Sequence, residues 1–366
     1  MSKEYTSLGL MSGTSMDGVD ASIVQSDGEK NINIILDEYF EYPQEIYKNL
    51  VNLRSKINND EDMKNFSSEL LELEREITLF HAKSVKQILN QKNLNIDLIG
   101  FHGQTIYHES NKKISKQLGD GQLLSQLLKK NIVFNFRIND LLNGGEGAPL
   151  TPIYHKALAQ KLNLKPVSFI NLGGIINFTT ITENGEIFAK DLGPGMCMID
   201  NWIRNNSQKK YDYDGKTASS GITNELILNQ YLENFYHFNK TKRSFDTSDF
   251  DISFARGLSL KEGAATITSI TAEIINSYFF SNTKSNNKHK IILCGGGRKN
   301  NFLFEKIKKI KTDVKKIDNY GINGDFVESQ AFAFLAIRSF LNLPISFPET
   351  TGCKEPTIGG KLIEFK

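Results

Sequence analysis

Cysteine is scarce in this chain, and its few residues form no recognisable pattern. Cys197, Cys294 and Cys353 lie far apart, so no CxxC pair is present, and the six histidines show no HExxH spacing. These absences argue against a disulfide framework and against a structural zinc site, and they fit a reducing compartment. The motif GxxxxGK[ST] is also missing, which excludes a P-loop ATPase.

An excess of charge of one sign and a long apolar run are missing as well. The 44 basic and 42 acidic residues leave a formal net charge of +2, which gives no electrostatic case for nucleic acid as a partner. The longest uncharged run, 166–182, is interrupted by Pro, Asn and Gly, which argues against a membrane span. No apolar core of signal-peptide length precedes Gly9. We therefore expect a cytoplasmic protein without a membrane partner.

The pattern of apolar residues predicts two α/β units. At 366 residues the chain is long enough for about two domains. Strands expected at 5–10, 19–25 and 31–40 would form an antiparallel meander, and a helix with three- and four-residue apolar spacing follows over 66–88. A second unit opens near 166 and repeats this order. Two such lobes would leave a cleft, where ligands prefer to bind.

The remaining elements follow the same alternation of strands and helices. They are strands at 97–103, 131–136 and 290–297, and helices at 120–130, 222–235, 258–280, 299–310 and 326–341. Asp120 stands where the N-cap of the helix at 120–130 is expected.

Two glycine turns occupy corresponding places in the two units. The first, "MSGTSMDGVD" at 11–20, lies between two short apolar runs, and the second is "INLGGIIN" at 170–177. Backbone N–H groups of such turns can hold a phosphate chain, although a tight hairpin or a bulge would also explain them. Neither turn contains a lysine, so charge neutralisation is assigned to Mg²⁺, with no particular carboxylate identified as its ligand.

Further polar clusters lie in loops. "CGGGRKN" at 294–300 follows an apolar strand and would provide a floor without side chains for a nucleotide, or a simple tight turn. Asp191, before the Gly-Pro-Gly turn of "KDLGPG", is either a general base or a residue that stabilises the turn. His102 and Gln104 of "GFHGQT" add hydrogen-bonding groups that suit a polyhydroxylated substrate.

Taken in order, these motifs resemble those of one enzyme family. The segments that carry the resemblance are "GLMSGTSMDGVD", "GFHGQT", "NGGEGAPLTP", "NLGGIINF", "DLGPG", "DGKTASSG", "CGGGRKN" and "TGCKEPTIGG". They resemble the anhydro-N-acetylmuramic acid kinases, which belong to the sugar kinase/Hsp70/actin superfamily. The resemblance runs from about residue 7 to the C-terminus. It implies a two-lobed ribonuclease-H-like ATPase fold with a duplicated strand meander plus helices.

The resemblance also implies a reaction and a set of site residues. ATP and Mg²⁺ would serve the opening of 1,6-anhydro-N-acetylmuramic acid by water and the phosphorylation of its C6 oxygen, with Asp191 as the catalytic base. The nucleotide-binding residues that the resemblance implies are Gly13, Thr14, Ser15, Met16, Asp17, Gly18, Val19, Asp20, Gly295, Gly296 and Gly297. The second glycine turn adds Gly173 and Gly174 as predicted phosphate contacts. The expected sugar-binding residues are His102, Gln104 and Glu328. The expected lobes are 1–145 and 146–344, with 345–366 returning to the first lobe, and a homodimer would be typical of the family.

Three residues depart from the family pattern, and two other functions stay open. Met196 replaces an expected asparagine, Arg298 a small residue, and Cys353 an alanine. Arg298 could stack on adenine, meet a phosphate or face solvent. The alternatives are a kinase of a ring-open amino sugar and a non-catalytic nucleotide-dependent switch. The switch would have lost the base or the phosphate loop, whereas both Asp191 and "GTSMDG" are present.

Overall fold

A computed structural model describes residues 3–13, 15–92, 94–238, 245–283, 288–309 and 313–365. The chain divides into two compact units, one of Met1–Leu162 with Phe326–Lys366 and one of Asn163–Asp325. We call them unit 1 and unit 2. Each has its own sheet and its own buried core, which confirms the predicted two-lobed α/β class. Within the described ranges, no helix combines the length and apolar character needed to cross a membrane.

The regular elements are numbered in chain order. The strands are β1 (Tyr5–Ser12), β2 (Gly18–Ser26), β3 (Ile32–Glu41), β4 (Leu98–Glu109), β5 (Ile114–Leu118), β6 (Asn131–Phe134), β7 (Val167–Leu172), β8 (Ile175–Ile181), β9 (Ile187–Pro194), β10 (Lys290–Cys294), β11 (Asp313–Lys316) and β12 (Lys361–Ile363). The α-helices are α1 (Gln44–Lys56), α2 (Asp60–Asn65), α3 (Ser67–Lys92), α4 (Gly121–Leu128), α5 (Ile138–Leu142), α6 (Pro152–Lys161), α7 (Met196–Asn206), α8 (Lys216–Ser219), α9 (Glu225–Phe238), α10 (Leu260–Thr283), α11 (Asn301–Ile307), α12 (Val327–Phe340) and α13 (Pro348–Thr351).

The sheet of unit 1 has the order β12-β6-β4-β1-β2-β3, with β5 paired to β4. Strands β1, β2 and β3 form the predicted antiparallel meander, and β4 runs parallel to β1. Strand β1 is buried from Ser7 to Ser12 because helices cover both faces of the sheet. The loop between β1 and β2 therefore emerges at the buried carboxyl end of a central strand.

Helix α12 belongs to unit 1 because two glycines let its backbone touch the sheet. A Cβ on Gly9 would collide with the carbonyl oxygen of Ser329, and a Cβ on Gly100 would collide with that of Phe332. The compact units consequently change at residues 162 and 326, rather than at the predicted 145 and 344. The chain after α12 continues in unit 1, where β12 pairs antiparallel with β6.

Unit 2 repeats the architecture with the strand order β11-β10-β7-β8-β9. Strands β7, β8 and β9 form an antiparallel meander, and β10 and β11 continue the sheet in parallel. Helices α7, α9 and α10 contribute buried apolar residues to its core, among them Trp202 and Phe279. The predicted repetition of a strand meander followed by helices and strands is confirmed.

Most predicted elements are present, with shifted ends. Asp120 caps α4 as predicted, because its carboxylate accepts hydrogen bonds from the N–H groups of Gln122 (2.9 Å) and Leu123 (3.0 Å). The helix expected at 299–310 begins at Asn301 and ends at Ile307, and residue 310 lies outside the described residues. Among the described elements, the prediction missed the strands β5, β11 and β12 and the helices α1, α2, α5, α6, α7, α8 and α13.

Candidate active site

The loop between β1 and β2 presents two polar side chains to solvent. Thr14 lies outside the described residues. Ser15 and Asp17 are exposed, and the Ser15 hydroxyl donates to Asp17 Oδ1 at 2.5 Å. The Gly13 carbonyl accepts hydrogen bonds from the Met16 N–H (3.1 Å) and from Gln104 Nε2 (3.0 Å). These bonds hold a carboxylate and a hydroxyl at the carboxyl end of β1.

Two of the predicted nucleotide-binding side chains in 13–20 point into the core instead. Met16 is 8% exposed and Val19 is fully buried, and both belong to the apolar cluster of unit 1. A Cβ on Gly18 would collide with the carbonyl oxygen of Phe40 on the neighbouring strand. Met16 and Val19 can therefore reach a ligand only through their backbone, and Gly18 is needed for strand packing.

His102 uses both ring nitrogens within the protein. Its Nδ1 lies 2.8 Å from the carbonyl oxygen of Gly103, which can only accept, so Nδ1 carries the proton. Its Nε2 then accepts hydrogen bonds from Arg137 Nε (3.2 Å) and Nη2 (2.9 Å). Burial, with the charge of Arg137, holds the pKa of His102 well below its usual value. His102 is thus a neutral support for Arg137, whereas the sequence predicted a direct contact with sugar.

No sequence motif predicted a role for Arg137. Its Nη1 donates to the carbonyl oxygen of Gly147 at 2.8 Å, and no carboxylate in the described part of the chain forms an ion pair with it. Burial lowers its pKa, which the charges of Glu328 and Asp140 partly oppose. A half-buried guanidinium held by neutral acceptors is suited to bind an anion. In the sequence, the only indication of this role is that an arginine follows the strand β6.

Gln104 and Glu328 lie in the same unit. Gln104 is 1% exposed, and its Nε2 bonds the carbonyl oxygens of Gly13 (3.0 Å) and Thr105 (3.4 Å). Its Oε1 is buried and meets no hydrogen-bond donor among the described residues. A buried acceptor of this kind needs a donor from a ligand or a water. Glu328 is half-buried in the first turn of α12, and its charge acts on Arg137.

In unit 2, the two glycine-containing turns are joined by backbone hydrogen bonds. The carbonyl oxygen of Gly173 accepts from the Met196 N–H at 2.8 Å, and that of Gly174 accepts from the Gly195 N–H at 2.9 Å. The turn between β7 and β8 is therefore held against the Gly-Pro-Gly turn that follows Asp191. The sequence motifs "NLGG" and "DLGPG" form one continuous backbone surface.

Asp191 is held at two points within unit 2. It lies in β9, opposite Asn177 of β8, and its side chain is half-buried. Its Oδ2 accepts a hydrogen bond from the Phe245 N–H at 2.9 Å. A carboxylate fixed by its strand and by a backbone donor has the defined direction that a general base requires.

The three glycines after β10 differ in why they are glycines. Gly295 has a φ of +75°, and a Cβ on Gly297 would lie 2.7 Å from Met196 Sδ and 2.8 Å from Leu172 Cβ. A Cβ on Gly296, in contrast, would meet no described atom within 4 Å. Folding demands a glycine at 295 and 297, whereas the structure leaves open space beside Gly296.

A Cβ would also find space at one glycine in each phosphate-loop candidate, Gly13 and Gly173. A Cβ on Gly13 would have its nearest described neighbour, Ser15 Oγ, at 3.8 Å, and one on Gly173 would have its nearest at 3.5 Å. Neither residue has a positive φ. At these two positions and at Gly296, the fold leaves room for a side chain. A bound ligand, rather than the packing of the protein, would therefore be the reason for a glycine there.

Arg298 neither faces solvent nor reaches towards a ligand. It is 2% exposed and binds Asp318 through Nε (2.7 Å) and Nη2 (2.8 Å). Its Nη1 donates to Asp325 (2.7 Å) and to the carbonyl oxygen of Gly295 (3.0 Å). All three predicted roles are therefore wrong. Arg298 stabilises the turn of Gly295–Gly297 from behind, because two carboxylates compensate its buried charge.

The residues described contain no cluster of three or more His, Cys, Asp or Glu side chains that could hold a metal ion. Mg²⁺ bound with a nucleotide needs no such cluster, because phosphates and waters supply most of its ligands. In the β1–β2 loop, the exposed carboxylate of Asp17 is the group whose chemistry fits such an ion.

Comparisons with known proteins agree on one family. The family model described as anhydro-N-acetylmuramic acid kinase matches residues 5–364. The protein of that name from Pelagibacter ubique is 52% identical over 373 residues, covering all of both chains. The one from Agrobacterium fabrum is 36% identical and covers 99% of this chain and 100% of its own.

Solved structures are more distant. An activator of 2-hydroxyisocaproyl-CoA dehydratase from Clostridium difficile, with bound ADPNP, covers 92% of this chain and 96% of its own with a TM-score of 0.43 and 10% identity. A ROK family glucokinase from Streptomyces griseus, in complex with glucose and AMPPNP, covers 90% and 98% with a TM-score of 0.39 and 11% identity.

Proposed function

Because the chain belongs to the anhydro-N-acetylmuramic acid kinase family, we propose how its own residues divide the work of that reaction. The chain is an ATP-dependent carbohydrate kinase of peptidoglycan recycling. It converts 1,6-anhydro-N-acetylmuramic acid, ATP and water into N-acetylmuramic acid 6-phosphate and ADP. The observation that carries the assignment is the match over residues 5–364, which includes the loop "GTSMDG" and Asp191.

Asp191 acts as the catalytic base on water. The substrate has no free hydroxyl at C6, because that oxygen bridges to the anomeric carbon. Asp191 takes a proton from water as the water oxygen bonds to the anomeric carbon and the bond from that carbon to O6 breaks. O6 then bonds to the γ-phosphorus of ATP, and ADP leaves. The hydrogen bond from the Phe245 N–H supports this role because it fixes the direction of the carboxylate at Oδ2.

The nucleotide is assigned to the glycine turns. In unit 1, the described residues of 13–20 would contact the phosphates of ATP. Thr14 stays a prediction from the sequence. Gly173 and Gly174 would contact phosphates in unit 2, and Gly295–Gly297 would lie beside the nucleotide. The open space at Gly13, Gly173 and Gly296 supports this assignment. Asp17 would hold Mg²⁺ through its waters, and the ion would neutralise phosphate charge.

Arg137 is assigned to the carboxylate of the substrate. N-acetylmuramic acid differs from N-acetylglucosamine by a lactyl ether that ends in a carboxylate. A guanidinium without an ion pair, oriented by His102 and Gly147, matches that group in charge and in geometry. Gln104 Oε1 and Glu328 would accept hydrogen bonds from the amide or hydroxyl groups of the sugar. His102 would act only through Arg137.

Two finer assignments belong to the same proposal. A homodimer is typical of the family, and a cytoplasmic location follows from the need for ATP.

A kinase of a ring-open amino sugar remains the alternative, in which Asp191 would deprotonate a hydroxyl instead of water. ADP release measured with the anhydro sugar and with ring-open N-acetylmuramic acid separates the two. A higher kcat/KM for the ring-open sugar would overturn the proposed function.

A further inference from the structure

A buried group of three polar side chains lies directly behind the β1–β2 loop. Ser12, the last residue of β1, is 1% exposed, and its Oγ lies 2.8 Å from Tyr42 Oη and 3.4 Å from His81 Nε2. Tyr42 is 4% exposed, and His81, on α3, is fully buried. None of these three residues belongs to the site described above, yet Ser12 immediately precedes Gly13.

The direction of each hydrogen bond in this group follows from one carbonyl. His81 Nδ1 lies 2.7 Å from the carbonyl oxygen of Ile77, which can only accept, so Nδ1 is protonated and Nε2 is not. Ser12 therefore donates to His81 and accepts from Tyr42. Burial lowers the pKa of His81 to about 4, so the ring stays neutral near pH 7. The single proton of the Ser12 hydroxyl is therefore engaged with His81 and is not available for donation to a phosphate.

Tyr42 also holds the other end of the loop. Its backbone N–H donates to the carbonyl oxygen of Asp17 at 2.8 Å. One residue thus binds the position before the loop through its side chain and the last position of the loop through its backbone. The two bonds together fix Ser12, just before the loop, and Asp17, at its end, relative to the same residue.

We propose that Tyr42, supported by His81, is a positioning residue that sets the opening of the Gly13–Asp17 loop for the phosphates of ATP. This inference rests on the proposed nucleotide-binding role of the loop. Backbone N–H groups bind phosphate well only when their directions are fixed before the ligand arrives. Without the Tyr42 hydroxyl, Ser12 loses a donor, and the start of the loop gains freedom that ATP binding must remove.

The variant Tyr42→Phe tests this role. It keeps the backbone bond to Asp17 and the ring that packs on Phe80 at 5.0 Å between centroids, and it removes only the hydroxyl. We expect the KM for ATP and the Kd for ADP to rise about fivefold, the size of one net hydrogen bond. The KM for the sugar should stay within about twofold of the wild-type value, because the hydroxyl acts on the loop alone.

Tyr154→Phe is the matched control. Its hydroxyl is equally buried in unit 1 but donates to Gln330 Oε1 at 2.9 Å, on α12 and not on the loop. It should lower the thermal stability and leave the Kd for ADP unchanged. An equal rise of that Kd in both variants, or no rise in Tyr42→Phe, would overturn the inference.

Ser12→Ala provides a second test that does not depend on the folding of Tyr42→Phe. Ser12→Ala should weaken ADP binding as much as Tyr42→Phe does, and the double variant should bind no more weakly than either single one. Additive losses would contradict a shared chain of bonds. Direct ADP binding also separates this inference from the proposed function. If the wild type binds ADP but phosphorylates no anhydro sugar, the proposed function fails while the loop test remains decisive.

Discussion

His102 Nε2 lies 2.9 Å from Arg137 Nη2 and 3.2 Å from Arg137 Nε, so a neutral imidazole bonds one side of a guanidinium. This arrangement is the reverse of the usual pairing of histidine with an anion. It leaves the charge of Arg137 uncompensated by any ion pair among the described residues, and it explains why a residue without an obvious sequence motif becomes central to the proposed sugar site.

Substituting Arg137→Gln should remove the recognition of a carboxylate. We expect kcat/KM for the anhydromuramic sugar to fall about 100-fold, the size of a charge-assisted bidentate contact. The value for 1,6-anhydro-N-acetylglucosamine, which lacks the lactyl group, should change little. Steady-state kinetics with both sugars measures the ratio.

Arg338→Gln is the control for that prediction. Arg338 is also buried, and its guanidinium bonds the carbonyl oxygens of Pro344 and Gly28. Its loss should reduce the free energy of unfolding without altering the preference for the carboxylate. If Arg137→Gln keeps the wild-type preference for the sugar with the lactyl carboxylate, another group must bind that carboxylate.

Asp191→Asn should abolish turnover and preserve the fold. The amide oxygen can still accept the bond from the Phe245 N–H, but the side chain can no longer take a proton from water. We expect kcat to fall at least about 1000-fold, within the range for a lost general base, with an unchanged Kd for ADP. Calorimetry and a coupled ADP assay measure both. Asp120→Asn, at a helix N-cap, should leave kcat at the wild-type level.

Gly296→Ala and Gly297→Ala should separate nucleotide binding from folding. A Cβ at 296 meets no described atom within 4 Å, whereas one at 297 meets Met196 Sδ at 2.7 Å. We therefore expect Gly296→Ala to keep the wild-type Tm and to weaken ADP binding, and Gly297→Ala to lower the Tm. Differential scanning fluorimetry with and without ADP tests the pair. A wild-type affinity for ADP in Gly296→Ala would show that the nucleotide does not bind beside this turn.

Buried histidines should make the fold sensitive to acid. Burial lowers the pKa of His81 to about 4 and that of His155 to about 3, whereas both would titrate near 6.5 when unfolded. Their contribution to stability is therefore complete above pH 6.5 and is lost as the pH falls below it, by at most about 1.4 kcal/mol per histidine per pH unit. Asp200, whose pKa burial raises to about 7, opposes this trend, because the folded state holds its proton.

Replacing one histidine isolates its contribution to the loss of stability at acid pH. His155→Gln should show a flatter loss of stability between pH 6.5 and pH 5 than the wild type, because the variant no longer takes up that proton on unfolding. Urea unfolding at several pH values measures the slope. Identical slopes in the two proteins would mean that His155 titrates normally in the folded state.

Local patterns in the sequence were sufficient to predict both strand meanders, the long helices α3 and α10 and the cap at Asp120, because each depends on nearby residues. The unit boundaries depend instead on α12 meeting Gly9 and Gly100, which are far away in the chain. The same reason explains the wrong roles for Arg298, whose partners Asp318 and Asp325 come from later segments. His102 could not be recognised as a support from its own motif, because Arg137, the residue it supports, lies 35 residues later in the chain.

The coupling of ring opening by water to phosphoryl transfer is the central claim. It is tested most directly by incubating the protein with 1,6-anhydro-N-acetylmuramic acid, ATP and Mg²⁺ in water enriched in oxygen-18, followed at once by mass spectrometry of the product. The account predicts a sugar 6-phosphate that carries the heavy oxygen at its anomeric carbon and none in the phosphate. A phosphorylated product without heavy oxygen at that carbon, or no phosphorylated product at all, would contradict it.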